Sequence, residues 1–327
     1  MTKDKEKDKD DVVQIAKELE NLGCKVVSDL KEIDSPYHLP CGLFSLDIIL
    51  SEKEGFGGGK CVEIFGQEGA GKSSLALLVL GKAQKMGYPC FYINMERSVT
   101  SSLVKCFPDI DPLKVKWIEP EHGQAAFNAV ELICRTQKNP FIVLDSIPAC
   151  ISSSQMEEGA EKEFYSPIAR MLSTSMPKIK RFVGESGALV VFLNQLRDNV
   201  SGYGEKEKVP GGRAIKFYCD VRLRLRVKEK ILSGEDVIGH RVEATTIKTR
   251  DISPYRKALF PLYYGKGFDV GGELLEMALQ FGMVKKTGSW LEFDGQKKQG
   301  EMQMGAYIAQ NPEAQGKIKD MVRKMMK

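Results

Sequence analysis

The segment Gly66–Ser73, GQEGAGKS, restricts the fold of this chain more than any other stretch. It fits the pattern G-x-x-x-x-G-K-[ST]. It stands between an apolar run, Cys61–Phe65, and a helical pattern, Ser73–Met86, with Gly87 at the C-terminal cap position. A strand that enters a helix through such a loop is the context the pattern requires. Gly66, Gly69 and Gly71 let the backbone around Gln67, Glu68 and Ala70 curl about an anion without a Cβ in the way. The helix start adds a partial positive charge. Lys72 would bridge the β- and γ-phosphates of a nucleoside triphosphate, and the Ser73 hydroxyl would hold Mg²⁺. A chance glycine-rich turn would not carry both flanks.

The rest of the chain extends this strand–helix alternation. Pro89–Asn94, Val115–Ile118, Phe141–Asp145 and Ala188–Leu193 read as strands, and Gly123–Lys138 and Phe164–Gly184 as helices. Continuous apolar strands alternating with helices predict a mostly parallel sheet covered on both faces, an α/β fold. After Asp220 the pattern changes. Val221–Val227 alternates apolar residues with arginines, and further strands follow near Val242–Lys248 and Ala258–Tyr263, which predicts an antiparallel extension. From Gly271 the chain reads as a small α+β domain: helix Glu273–Phe281, a hairpin through Trp290, and helices near Met302–Ala309 and Glu313–Met325. Asp11–Leu22 is a short amphipathic helix behind a charged tail, open to docking on a neighbouring subunit or on its own domain. The expected organisation is a tail and helix over 1–35, a core over 36–268, and a C-terminal domain over 269–327.

Composition narrows the class. Of 327 residues, 42% are apolar and 28% charged, an ordinary globular balance. Leu75–Leu80 falls far short of the ~20 apolar residues a helical membrane crossing needs. The first residues, MTKDKEKDKDD, contain no apolar core of a secretory signal. The eight cysteines form no C-x-x-C pair and the three histidines do not cluster with them, so a zinc site is not expected and a reducing cytoplasm is. A net charge of +4 alone does not argue for nucleic acid, but Arg197–Lys257 holds 15 Lys+Arg against 9 Asp+Glu.

Four further positions complete the chemistry. Asp145 ends the apolar strand FIVLD, where a carboxylate faces the phosphate loop and reaches the Mg²⁺ shell; Ser146 beside it is a weaker candidate. Glu96 ends the neighbouring strand and can approach a γ-phosphate to orient or deprotonate water, although a solvated loop acid would look the same. Gln195 ends a third strand, where an amide can sense the γ-phosphate and pass its presence onward. Two glycine- and charge-rich loops follow core strands, Ser152–Glu163 and Arg197–Gly212. In the second, Arg197, Lys206 and Lys208 could meet phosphates and Tyr203 could stack on bases.

Together these pieces resemble the RecA family of recombinases, from about Leu43 to near the C-terminus. The likeness is carried by GQEGAGKSS, by Glu96, by VLDS, and by VFLNQLR (Val191–Arg197). It continues through PGGRAIKFY (Pro210–Tyr218), TIKTRDISPY (Thr246–Tyr255) and the section Gly282–Glu313, which is similar to the bacterial type of C-terminal domain. The resemblance implies a DNA-dependent ATPase that forms helical filaments on single-stranded DNA and exchanges strands with homologous duplex, with ATP and Mg²⁺ as cofactors. It implies Ser74 beside Ser73 in the nucleotide site, Glu96 as the catalytic glutamate, and Gln195 as the γ-phosphate sensor. It implies DNA contacts from both loops, from Arg170, and from Gly211, Gly212 and Arg213. Lys248 and Arg250 match a cationic pair that reaches the neighbouring subunit's ATP, Phe217 a subunit-interface aromatic, and Asp11–Leu22 the element that packs on the next protomer.

The chain departs from the family at two places. Arg97-Ser98-Val99-Thr100 follow Glu96, in place of the aspartate and tyrosine usual near the adenine. Lys324–Lys327 closes the chain without the acidic tail of many bacterial members, so less restrained loading on DNA is expected. With the lysine-rich start, these departures mark a divergent member and raise a phage-encoded origin as a hypothesis. A hexameric helicase would share the ATPase core but needs a different N-terminal domain. A signalling ATPase would not need Lys72, Glu96, Asp145 and both loops intact. A small-molecule kinase would need a lid and an acceptor site.

Overall fold

The computed structural model describes residues 14–23, 26–27, 34–150, 165–198 and 207–325. The chain divides into two compact units, Met1–Pro36 and Tyr37–Lys327. In the first, residues 14–21 are helical, within the predicted Asp11–Leu22; Ile15, Leu19 and Leu22 are exposed.

The second unit opens with β1 (His38–Leu39), α1 (Phe44–Leu50) and β2 (Phe56–Gly57). The core follows as β3 (Lys60–Gly66), α2 (Lys72–Lys85), β4 (Cys90–Asn94), α3 (Ser101–Lys105), β5 (Val115–Ile118), α4 (Gly123–Thr136), β6 (Phe141–Asp145), α5 (Tyr165–Ser186) and β7 (Leu189–Gln195). Then come β8 (Arg197–Asp198), β9 (Glu207–Lys208), α6 (Gly212–Tyr218), β10 (Val221–Ser233), β11 (Asp236–Lys248), β12 (Lys257–Tyr263) and β13 (Gly267–Phe268). The C-terminal part is α7 (Val270–Gln280), β14 (Lys285–Thr287), β15 (Trp290–Phe293), β16 (Gln296–Gln299), α8 (Gly300–Gln310) and α9 (Pro312–Met325).

Nine strands form one sheet in the order β13-β12-β11-β10-β3-β7-β6-β4-β5. The pairs from β10 to β5 are parallel, and those from β10 to β13 are antiparallel. This is the expected α/β architecture with its antiparallel extension. The apolar runs are continuous because both faces are covered. Val62, Ile64, Phe141, Val143, Leu189, Val191 and Leu193 pack with α1 and α2 on one face. Cys61, Ile142, Leu144, Val190 and Phe192 pack with α4 and α5 on the other. The strand period of two sorts each run between the faces.

Two elements differ from expectation. The strand read as Val221–Val227 runs on to Ser233, because β10 leaves β3 after Leu225 and continues as a long hairpin with β11. The segment read as a loop over Arg197–Gly212 carries strand pairing at its base: Arg197 pairs with Lys208 and Asp198 with Glu207.

The C-terminal part is a three-stranded antiparallel sheet, β14-β15-β16, with three helices. Its apolar cluster draws one fully packed side chain from the core, Phe44 at the start of α1. There Glu273 on α7 accepts the N–H groups of Phe44 and Ser45 at 3.2 and 2.5 Å. These are donors that a helix start leaves unpaired. Burial pushes the Glu273 carboxyl up to about 7 and that of neighbouring Asp47 to about 6.

Candidate active site

The phosphate loop links β3 to α2 at the sheet's C-terminal edge. Gly66 is required by close approach, since a Cβ there would lie 2.3 Å from the Leu225 carbonyl oxygen of β10. Gly71 takes φ +84°, and a Cβ would lie 2.9 Å from Leu262. Gln67, Glu68 and Gly69 are exposed at the loop's crest, Ala70 is buried beneath it, and Ser74 follows Ser73 in the first turn of α2. Lys72 Nζ donates to the Gly66 and Gln67 carbonyls at 3.2 and 2.8 Å, which holds the ammonium inside the loop. Burial lowers its pKa, while Asp145, Glu96 and Glu68 act the other way.

Strand parity brings Asp145 to this loop. Residues 141, 143 and 145 of β6 share the face against α2, and the carboxylate meets the first turn of that helix. Ser73 Oγ donates to Asp145 Oδ2 at 2.8 Å. Tyr92, fully buried on β4, donates to the same oxygen at 2.5 Å. Burial raises the Asp145 pKa, and these two donors oppose the rise. Two hard oxygens, Ser73 Oγ and Asp145, suit Mg²⁺, which takes few protein ligands and keeps several waters and phosphate oxygens. Asn94, in register with Asp145, has a buried Oδ1 with no hydrogen-bond partner among the described residues, as a water shell would require.

Glu96 sits just beyond β4. The Met95 and Glu96 N–H groups donate to the Asp145 carbonyl at 2.6 and 3.1 Å, which fixes the turn. Ser146 Oγ donates to Glu96 Oε1, and Gln195 Nε2 donates to the same oxygen at 2.9 Å. The structure thus brings Lys72, Ser73, Glu96, Asp145 and Gln195 together from three parallel strands and one helix start. Such a crevice at the carboxyl ends of parallel strands is where open α/β sheets bind ligands.

The DNA candidates are only partly described. Ser152–Glu163, Tyr203 and Lys206 lie outside the described residues. Arg197 and Lys208 are paired through their backbones at the loop base. Gly211 and Gly212 take positive φ and pack on α5, where their Cβ atoms would meet Leu172 and Ala169. Arg170, the neighbour of Ala169, and Arg213 are exposed on these two adjoining elements.

Lys248 and Arg250 lie elsewhere. Lys248 is in register with Arg222, which pairs with Glu63 at the middle of β3, and the chain beyond it runs toward the start of β3, where Asp251 lies 3.9 Å from Lys60. Lys248 Nζ donates to the Lys216 and Phe217 carbonyls at 3.1 and 2.9 Å, and Arg250 Nε lies 3.1 Å from Asp220. Phe217, edge-on to Tyr218, is 72% exposed beside them. Sequence reasoning missed Tyr92 and Asn94. Their place on an apolar strand made Tyr92 look like bulk, and the only signal was an amide at that strand's end.

The family model for the RecA N-terminal domain matches residues 10–269, and that for the RecA C-terminal domain matches 272–327. Protein RecA of Ruminococcus albus is 32% identical over 291 residues, covering 87% of this chain and 72% of that protein. Protein RecA of Chlorobium limicola is 35% identical over 265 residues, covering 80% and 74%. That of Malacoplasma penetrans is 32% identical over 280 residues, covering 84% and 85%. The chain therefore belongs to the RecA family: it is an ATP-dependent recombinase and DNA-dependent ATPase of recombination and repair, and it binds DNA and forms filaments.

Proposed function

We propose that the chain assembles head to tail on single-stranded DNA, with ATP and Mg²⁺ held between neighbouring protomers, and pairs that strand with homologous duplex. The observation that carries this reading is the separation of the phosphate loop from Lys248 and Arg250. Arg250 meets Asp220, which bonds Cys61 near the start of β3, whereas the phosphate loop leaves from Gly66 at its end; this separation supports a cation pair that meets phosphate on another copy. Phe217, exposed beside the pair, would meet the same neighbour.

Within the nucleotide site, Lys72 and the loop N–H groups bind the phosphates. Ser73 and Asp145 hold Mg²⁺, which supplies positive charge to the phosphate oxygens when bound. Glu96, fixed by Ser146 and Gln195, orients the attacking water and takes its proton, while Gln195 reports the γ-phosphate. Arg170, Gly211, Gly212, Arg213 and the loop residues Arg197, Tyr203, Lys206 and Lys208 face the DNA. The working division is 1–35 for subunit contact, 36–268 for catalysis and DNA binding, and 269–327 as a separate domain. A cytoplasmic setting rests on the unpaired spacing of the cysteines. Among the described residues no helix is long and apolar enough to cross a membrane.

Electron microscopy with single-stranded DNA and a non-hydrolysable ATP analogue tests the proposal. Regular helical filaments that need both ligands are expected, followed by strand exchange with homologous duplex. Closed rings would favour a helicase, and dispersed monomers would withdraw the assembly.

A further inference from the structure

Three polar side chains lie buried in the middle of the sheet and have no part in the chemistry above. Glu63 on β3 and Asn194 on β7 are fully buried, and Arg222 on β10 nearly so. Their strands are adjacent. Arg222 is in register with Glu63, and Asn194 with Phe65. Parity sends all three to the face away from α2. Arg222 Nε lies 2.5 Å from Glu63 Oε2, and its guanidinium stands over the Phe65 ring at 4.7 Å. Asn194 Nδ2 donates to Glu63 Oε1 at 2.9 Å and to the Pro210 carbonyl at 3.0 Å, and its Oδ1 accepts the Gln195 N–H at 3.0 Å.

A buried ion pair is weak evidence for stability, since apolar residues of similar volume often serve as well. These contacts need another reason, and their connections supply one. Both amide hydrogens of Asn194 are committed. One is tied to an anchored carboxylate, the other to Pro210, where the segment after Asp198 re-enters the fold ahead of Gly211. The next side chain along, Gln195, holds Glu96. A shift of the Gln195 backbone therefore cannot occur without a shift at Pro210 or the loss of a buried hydrogen bond. Arg222, on the far side of Glu63, is the register partner of Lys248.

We propose that Glu63, Arg222 and Asn194 form a buried positioning relay that couples the nucleotide site at Glu96 and Gln195 to the DNA-facing segment that ends at Pro210. The ion pair is its fixed point: it holds the Glu63 carboxylate still, so movement at Gln195 is delivered to Pro210. None of the three touches nucleotide or DNA. The proposal rests on the roles given above to Gln195 and to residues 197–212.

The test is a linkage measurement. The dissociation constant of a labelled oligo(dT) is measured with and without a non-hydrolysable ATP analogue, and that of the analogue with and without oligo(dT). The two ratios are one coupling factor and must agree. It is measured for wild type, for Asn194→Ala, and for the double variant Glu63→Leu with Arg222→Met. In both variants the coupling factor should fall at least about fivefold, the lower range of such couplings. Each ligand's affinity measured alone should stay near wild type; the melting temperature should hold in the double variant and fall by a few degrees in Asn194→Ala, which leaves Glu63 Oε1 and the Pro210 carbonyl without their donor. If Asn194→Ala does not fold, the double variant decides, because apolar replacement of a buried pair commonly preserves stability. A folded variant that keeps the wild-type factor overturns the relay alone. So does one whose separate affinities and melting temperature fall together, the mark of a merely structural role. A wild type with no mutual tightening overturns the relay and the reading beneath it.

Discussion

The two ends of the central sheet handle charge in different ways. At the carboxyl ends of β3, β4, β6 and β7, each reactive side chain is held by its own chain: Asp145 by Ser73 and Tyr92, Glu96 by Ser146 and Gln195. At the opposite end, Lys248 rests on backbone carbonyls and Arg250 on Asp220, with the Arg250 side chain 56% exposed. One end is a cleft whose carboxylates are oriented from within the chain, and the other presents cations toward the surface. Arg250 meets Asp220, which bonds the Cys61 N–H, and the five residue steps of β3 from Cys61 to Gly66 span about 17 Å. On the proposed head-to-tail assembly a single copy carries two halves of a site, and hydrolysis would report on assembly.

The most severe way to break this contrast is at Glu96. Glu96→Gln should lower kcat by about 10²–10⁴-fold while nucleotide affinity holds, as read by steady-state hydrolysis and calorimetry. A wild-type rate would remove Glu96 from the chemistry. Lys72→Ala should weaken binding of an ATP analogue by about 100-fold, because a charged donor to two phosphates is lost. Tyr92→Phe keeps the ring and removes the donor to Asp145. Direct Mn²⁺ titration of the nucleotide complex should show about tenfold weaker metal binding. Mixing sharpens the comparison between the ends. Lys72→Ala and Arg250→Ala should each be inactive alone, yet an equal mixture should recover about a quarter of the competent interfaces, since a sound loop then meets a sound cation pair. No recovery would mean that Arg250 does not serve a neighbour.

The smallest effect on hydrolysis lies outside both ends, at Glu273. Its carboxyl is raised from 4.5 to about 7 in the folded chain by burial, ahead of the opposing hydrogen bonds from Ser45 and Phe44. The folded state therefore holds the proton more tightly than the unfolded state. This contribution to stability is full below pH 4.5 and is lost as the pH rises through 7. Chemical denaturation between pH 4 and 8 should show a decline on the order of 3 kcal/mol from this group. Glu273→Gln should flatten that part of the slope.

What the sequence revealed follows from chain locality. The phosphate loop, the strands that precede Asp145 and Gln195, and the helices around them announce themselves within about ten residues, through period, glycine and an abrupt polar end. The sheet partners of β3 do not. Arg222 and Glu63 are 159 positions apart, and each looks like an ordinary polar residue on a half-buried strand. Tyr92 reads as apolar bulk in its strand, and only the fold brings its hydroxyl to Asp145. The β10–β11 hairpin outran its predicted end because beyond Val227 only the partner strand specifies it, and its alternation no longer faces a core. Residues 197–208 are rich in loop-forming types, yet cross-strand pairing closes their base.

The interior of the C-terminal part is closed by its own helices and three short strands, with Phe44 as the fully packed side chain drawn from elsewhere. Arg323 seals that junction from outside, bonded to both oxygens of Glu54 at 2.5 and 2.8 Å and stacked over the same ring. The module is joined by the Phe44 ring, by Glu273 at the start of α1, and by the Arg323–Glu54 and Arg241–Glu276 pairs, which leaves its outward surface to vary. Substitutions confined to that outward surface should therefore change what this domain meets before they change the rate of hydrolysis.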